Sequence, residues 1–177
     1  MAESATAQGS KVQDGPGLAH LAGKYMTFNL AEEDYGLEIL KVREIIGLME
    51  ITRVPRTQAF VRGVINLRGK VIPVIDLRLK FGMPSAEATE QTVIIVVQCQ
   101  VGDRPLTMGL LVDRVLEVLS IDAGNIEATP PLGDATLDTS FILGVGKTGE
   151  RVVFLLDISR VLGSDGATAL VQAQAQA

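Results

Sequence analysis

Cysteine, histidine and tryptophan are nearly missing from this 177-residue chain, which has one Cys, one His and no Trp. Cys99 alone can form no internal disulfide, and it follows an apolar run, where a thiol acts as a small core residue. His20 falls in a polar N-terminal stretch, so no Ser–His or Cys–His pair is preorganised for nucleophilic catalysis, and one His far from one Cys makes a poor metal site. No Gly-x-Ser-x-Gly elbow occurs. The 21 acidic residues show no spacing that pairs carboxylates for acid–base work. No apolar run approaches the roughly 20 residues of a membrane span, and Met1–Pro16 lacks the apolar centre of a signal peptide. These absences imply a soluble protein of the reducing cytoplasm with no catalytic residues, no metal and no cofactor.

Aromatics are also scarce, at 4% against 47% hydrophobic residues overall. The core is therefore aliphatic, and Val, Ile and Leu favour strands. The net charge of −5 argues against general nucleic-acid binding. Residues 41–80 nevertheless hold nine Lys/Arg and three Asp/Glu, a local +6 that leaves −11 for the remainder. Solvated loops and strand edges account for such a run by default. The sharper reading is a face that meets an acidic protein partner.

The chain contains an internal duplication. Tyr35-Gly36-Leu37, Val42-Arg43-Glu44-Ile45-Ile46, Phe60-Val61-Arg62-Gly63-Val64 and Val71–Leu77 recur as Met108-Gly109-Leu110, Val115-Leu116-Glu117-Val118-Leu119, Phe141-Ile142-Leu143-Gly144-Val145 and Val152–Ile158. In both copies 13 positions separate the Phe-x-x-Gly glycine from the aspartate at the strand end, Gly63 to Asp76 and Gly144 to Asp157. Alternation at Met26, Phe28 and Leu30 and again at Tyr35, Leu37 and Ile39 predicts a hairpin with one buried face. A second hairpin is expected over Val64–Ile72, its tip near Leu67–Lys70 with Gly69 at positive φ. Pro73 belongs at a strand edge or bulge. Asp76 and Asp157 each cap a helical turn. Val93–Val97 reads as a buried strand paired with Leu106–Val112 across Gly102-Asp103, and residues 130–140 as a loop. The expected fold is mostly β, two pseudo-repeated small barrels over roughly 23–90 and 91–162, with disordered tails at 1–22 and 163–177.

Gly144-Val145-Gly146-Lys147-Thr148 imitates a phosphate loop, and a nucleotide- or small-ligand-binding β protein is the alternative it raises. The loop needs a further glycine where Phe141 stands, and a helix where a strand follows, so a hairpin turn is the better reading. Asn66-Leu67-Arg68-Gly69 is more informative. An arginine at an apolar hairpin tip suits a protein interface, since its guanidinium donates in a fork and offers a flat stacking face. The plain alternative is an ion pair inside the molecule, with Glu44 as the candidate partner. A generic SH3-like peptide binder is disfavoured, because such grooves are lined by aromatics.

The segment Tyr35–Ile46 followed by Phe60–Arg78, with Asn66-Leu67-Arg68-Gly69 at its centre, closely resembles the CheW family of bacterial chemotaxis coupling proteins over about residues 23–162. The resemblance implies two five-stranded SH3-like β-barrels packed about a shared apolar seam, able to exchange strands, with short helical turns. It also implies a non-catalytic adaptor joining the cytoplasmic tips of chemoreceptors to the regulatory domain of the histidine kinase CheA, at receptor arrays in the cytoplasm. By position, the receptor-facing groove would use Val42, Glu44, Gly63, Arg68, Val93, Gly109 and Val118, with Asn66 and Leu67 beside Arg68. Kinase contacts are expected from exposed apolar strand surfaces. A CheV-type protein shares the fold but would add a receiver domain, for which the chain is expected to be too short.

Overall fold

The computed structural model describes residues 16–101, 103–129 and 141–161. The expected loop at 130–140, the C-terminal tail and residues 1–15 lie outside them, as does Gly102 of the expected turn. Eleven strands dominate the described residues: β1 Gly23–Leu30, β2 Glu33–Glu38, β3 Val42–Gly47, β4 Val61–Leu67, β5 Lys70–Asp76, β6 Val93–Val101, β7 Arg104–Val112, β8 Arg114–Ile121, β9 Ile126–Glu127, β10 Ile142–Thr148 and β11 Arg151–Leu156. They form two sheets, ordered β8-β1-β2-β11-β10-β9 and β3-β6-β7-β5-β4.

Each sheet draws on both copies of the repeat. The hairpin β1–β2 pairs with β8 and, in parallel, with β11, whereas the corresponding hairpin β6–β7 pairs with β3 and, in parallel, with β5. The two copies thus trade their opening hairpins, and the sheets do not coincide with residues 23–90 and 91–162. A short segment closes each barrel. Thr52 exchanges two 2.8 Å backbone hydrogen bonds with Val64 of β4, and β9 pairs with β10 at the matching place.

Three apolar clusters form among the described residues. Tyr25, Ile121, Ile126, Val153 and Leu155 lie inside the six-stranded barrel, and Ile65, Ile72, Val74, Ile94 and Val96 inside the five-stranded one. The largest cluster joins residues of both sheets, including Phe28, Leu30, Tyr35, Leu37, Ile75, Ile95, Met108 and Leu110. The aromatics other than Tyr25 gather at this seam. Phe28 and Tyr35 stack at 5.8 Å, Tyr35 meets Phe81 at 5.3 Å and Phe154 at 5.6 Å, and Phe81 stacks on Phe141 at 4.7 Å. Each such pair contributes about 0.5–1.5 kcal/mol beyond its burial. The seam also corrects the reading of β1 as a strand with one buried face: Tyr25, Met26, Thr27 and Phe28 are all buried. The strand lies between two cores, Tyr25 in the barrel interior and Phe28 in the seam.

The folded body begins earlier than the repeat suggested. Pro16–Ala19 forms a helical turn, Leu21 is buried, and the Tyr25 hydroxyl donates to the Leu21 carbonyl at 2.5 Å. Burial of that phenol pushes its pKa up to about 12. His20 is exposed beside this anchor rather than part of a loose tail.

The repeated residues have matching structural duties. The Asp76 amide donates to the Phe60 carbonyl, and the Asp157 amide to that of Phe141, both at 2.8 Å. Asp76 accepts from the Leu79 amide at the start of the helical turn Leu77–Lys80, and Asp157 from the Ser159 amide beside the turn Ile158–Val161. Pro73 precedes the first β5–β7 pair, Val74 with Gly109, so its missing N–H falls where β5 has one neighbour. Arg78 bonds both oxygens of Asp113, at 2.7 and 2.5 Å, and Asp113 in turn accepts from the Ala31 amide in the β1–β2 turn. Arg78 holds the Asp113 carboxyl below its ordinary value, and this one carboxylate ties both sheets together.

The glycines of the two Phe-x-x-Gly motifs face the closing segments. A Cβ on Gly63, at φ +141°, would stand 2.1 Å from the Thr52 carbonyl oxygen, and one on Gly144 would stand 3.0 Å from that of Glu127. Gly63→Ala is expected to destabilise by about 3 kcal/mol or more, through overpacking against backbone and an unsuitable φ, and Gly144→Ala by about 1 kcal/mol. Urea unfolding of the two variants checks this ranking; equal losses would contradict it.

Candidate partner-binding surface

The hairpin β4–β5 turns through Arg68 and Gly69, at φ +52° and +85°, between the paired residues Leu67 and Lys70. A two-residue turn with both φ positive matches the twist of its strands, but an L residue in the first position is disfavoured. Asn66 assists, its Oδ1 accepting from the Gly69 amide at 3.0 Å. The Arg68 guanidinium forks onto Glu44 of β3, Nη1 to Oε2 at 2.8 Å and Nη2 to Oε1 at 2.6 Å. Strands β3 and β4 are opposite edges of the five-stranded sheet, so this pair crosses the barrel seam beside the Thr52–Val64 bridge.

The side chain of Arg68 is 71% exposed and that of Glu44 29%. Solvent therefore screens the pair, and its main effect is positional. The hydrogen bond from Arg68 lowers the Glu44 pKa from its ordinary 4.5. A carboxyl depressed by folding contributes fully above its ordinary value, and the contribution is lost as pH falls through the lowered one.

The other residues singled out from the sequence separate into two groups. Val42 and Glu44 alternate on β3 with Arg43 and Ile45, and Val93 of β6 pairs with Gly47 at the end of the same strand. Together with Asn66, Leu67 and Arg68, they belong to one sheet and offer side chains that are exposed or half-buried. Gly63 and Gly109 belong to that sheet too, but both are buried. A Cβ on Gly109 would lie 2.6 Å from the Ile94 Cγ2, so neither glycine leaves room for a side chain.

Val118 lies on the other sheet, opposite Met26. It occupies the place on β8 that Ile45 occupies on β3, and both are exposed. Each strand carries a bulge just before that residue, and Thr27 fills the one on β8 by bonding both backbone groups of Glu117. Leu48 and Val152 are exposed as well, and Leu40, in the turn Ile39–Lys41, is 89% exposed. Leu40, Leu48 and Val152 escaped the sequence reading, because alternation marks which side chains leave a sheet face but not which remain uncovered.

The phosphate-loop imitation is absorbed by the fold. Gly146 and Lys147 are inside β10, Lys147 pairs with Glu127 at 2.7 Å, and a Cβ on Gly146 would press on the Ile121 side chain at 2.9 Å. The turn to β11 follows directly, so no helix N-terminus faces these residues. Among the described residues no group of His, Cys, Asp or Glu could hold a metal, and no helix is long and apolar enough to cross a membrane. Cys99 is buried, which pushes its thiol pKa up.

Two barrels with exchanged hairpins, presenting a buttressed arginine and exposed apolar strand edges, define an interaction module of the SH3-like kind. The CheW-like domain model matches residues 24–166, and the chain belongs to that family. It is 42% identical over 153 residues to the chemotaxis protein CheW of Klebsiella aerogenes, covering 84% of this chain and 89% of the relative. It is 34% identical to the Helicobacter pylori protein of the same description, with 89% of each chain covered. The crystal structure of the scaffolding protein TtCheW from Thermoanaerobacter tengcongensis superposes with a TM-score of 0.71 at 39% identity, over 82% of this chain and 95% of that one. The present chain is thus a chemotaxis scaffold of the CheW family.

The left-handed turn at Arg68 makes a separable claim about strain. Arg68→Gly is expected to leave the thermal midpoint unchanged or raised despite losing the ion pair, whereas Arg68→Val lowers it. Circular dichroism melts compare them; a lower midpoint for the glycine variant than for the valine variant would refute the strain.

Proposed function

We propose that this chain is a non-catalytic adaptor that couples the cytoplasmic tips of chemoreceptors to the regulatory domain of the histidine kinase CheA. The Glu44–Arg68 pair carries the reading. A bidentate ion pair left largely in solvent, built on a strained turn, adds little to stability but fixes a guanidinium at the rim of an apolar strand surface. In this reading Val42, Glu44, Asn66, Leu67, Arg68 and Val93 form the receptor-facing surface, with Gly63 and Gly109 setting its backbone. Val118 extends it onto the second sheet, and kinase contacts come from the remaining exposed apolar strand residues.

The mechanism needs no reaction. An adaptor bound to two proteins at once transmits a receptor's conformational change by making one kinase state better bound than the other. Coupling of this kind is about 1–3 kcal/mol, within reach of modest interfaces. The rigid double barrel favours it, because a compliant linker would absorb the change. The protein acts in the cytoplasm, at receptor arrays.

Co-sedimentation with a receptor cytoplasmic fragment and with CheA tests the assignment. Arg68→Glu is expected to weaken receptor binding at least about tenfold, a loss on the scale of charge reversal at an interface, while CheA binding persists. Undiminished binding of both partners would contradict the receptor surface, and failure of the unsubstituted protein to bind either would contradict the function.

A further inference from the structure

Several of the cations in residues 41–80 have partners inside the molecule. Arg68 is held by Glu44, Arg78 by Asp113, and Arg43 bonds Gln98. Arg53 and Arg56 differ. Both are exposed, and among the described residues neither makes an ion pair or hydrogen bond. They line an open cleft of about 330 Å³ in the segment between Thr52 and β4, and Arg62 lines it too. No carboxylate lines it, while Val54, Pro55 and Val61 supply apolar wall between the cations.

Two features make this a shaped site rather than a solvated charge run. Arg62 bonds Asp76 through Nη1 alone, at 3.3 Å, and that carboxylate is almost fully buried, so the guanidinium is anchored on one side with its other donors left over. Arg56 has φ +65°, a conformation that L side chains rarely adopt, in a loop braced by the Thr57 hydroxyl donating to the Val54 carbonyl at 3.0 Å. Arg53, Arg56 and the anchored Arg62 thus surround a partly apolar trough.

We propose that this cleft binds an acidic peptide segment of a protein partner, with Arg53, Arg56 and Arg62 each receiving a carboxylate and Val54, Pro55 and Val61 receiving the intervening side chains. A protein ligand fits better than the other polyanions. A nucleic acid needs a longer basic track and stacking aromatics, and the cleft has neither. A membrane surface needs large exposed apolar side chains beside the charge, and the apolar wall here is half-buried Val54, buried Val61 and Pro55. The inference deepens the adaptor reading by giving the chemistry of one contact, and a synthetic peptide tests it without receptor or kinase, so either claim can fail alone.

Fluorescence anisotropy of a short labelled peptide of alternating Glu and Ala, titrated with the full chain at low ionic strength, measures binding. The Glu peptide is expected to bind and its Gln counterpart not to. Binding is expected to weaken as salt rises from about 50 to 300 mM. The double variant Arg53→Gln/Arg56→Gln loses about tenfold or more in affinity, whereas Lys147→Gln, on the other barrel, retains binding; thermal melts confirm that both variants are folded. Equal binding of the two peptides, or undiminished binding by the double variant, would overturn the proposal. So would displacement by inorganic phosphate beyond that of sodium chloride at matched ionic strength, which marks a small-anion site. Sedimentation with phosphatidylserine vesicles that depends on Arg53 and Arg56, without peptide binding, would overturn it in favour of a lipid surface.

Discussion

The apolar seam between the two barrels is the constraint on which everything else rests. It exists because each copy of the repeat gives away its first hairpin: β1–β2 completes the sheet built from β8–β11, and β6–β7 completes the one built from β3–β5. Neither barrel can close without strands from the other copy. The residues those hairpins present, Phe28, Tyr35 and Leu37 from one and Cys99, Met108 and Leu110 from the other, then meet in one cluster. The Arg78–Asp113–Ala31 chain of bonds adds a polar tie across the same junction. A molecule assembled this way holds its two outer surfaces in a fixed relation. An adaptor needs that property, and a pair of tethered domains lacks it.

Polar groups divide along the same line. Those that shape the fold are buried or bonded to backbone: Asp76 and Asp157 cap turns, Thr27 fills a bulge, and the Tyr25 hydroxyl anchors the N-terminal turn. The Arg68–Glu44 pair instead sits in solvent on a turn whose backbone prefers glycine. Left-handed Arg56, beside Arg53, breaks the local rule again. Local rules broken without evident structural gain are where function is to be sought. Ala31, in the β1–β2 turn of the other sheet, is left-handed too, but its amide is bonded to Asp113.

Much of this was legible in the sequence, and for definite reasons. The equal spacing from Phe-x-x-Gly to Asp reflects two hairpins of the same length, each locked by an aspartate amide on a phenylalanine carbonyl. Gly69 announced the turn of β4–β5, and the position of Glu44 relative to Arg68 suggested the pair the structure contains. The Gly-Lys-Thr decoy failed on the missing glycine and missing helix, and both objections hold, since the lysine lies inside β10 and pairs with Glu127.

What stayed hidden is non-local. A periodic pattern cannot say which strand a hairpin joins, so the exchange of strands was suggested by the resemblance and not by the repeat itself. Leu21 gave no warning of burial, because its partners Ile121, Ile126 and Val153 are far along the chain. The close approaches of backbone and side chain at Gly63 and Gly109 were equally out of reach of a local pattern. The measurement that reaches the central claim most directly is scanning calorimetry of the whole chain. A seam shared through exchanged hairpins predicts one cooperative transition whose calorimetric and van't Hoff enthalpies agree. Two resolved transitions, with one barrel melting while the other stays folded, would contradict it.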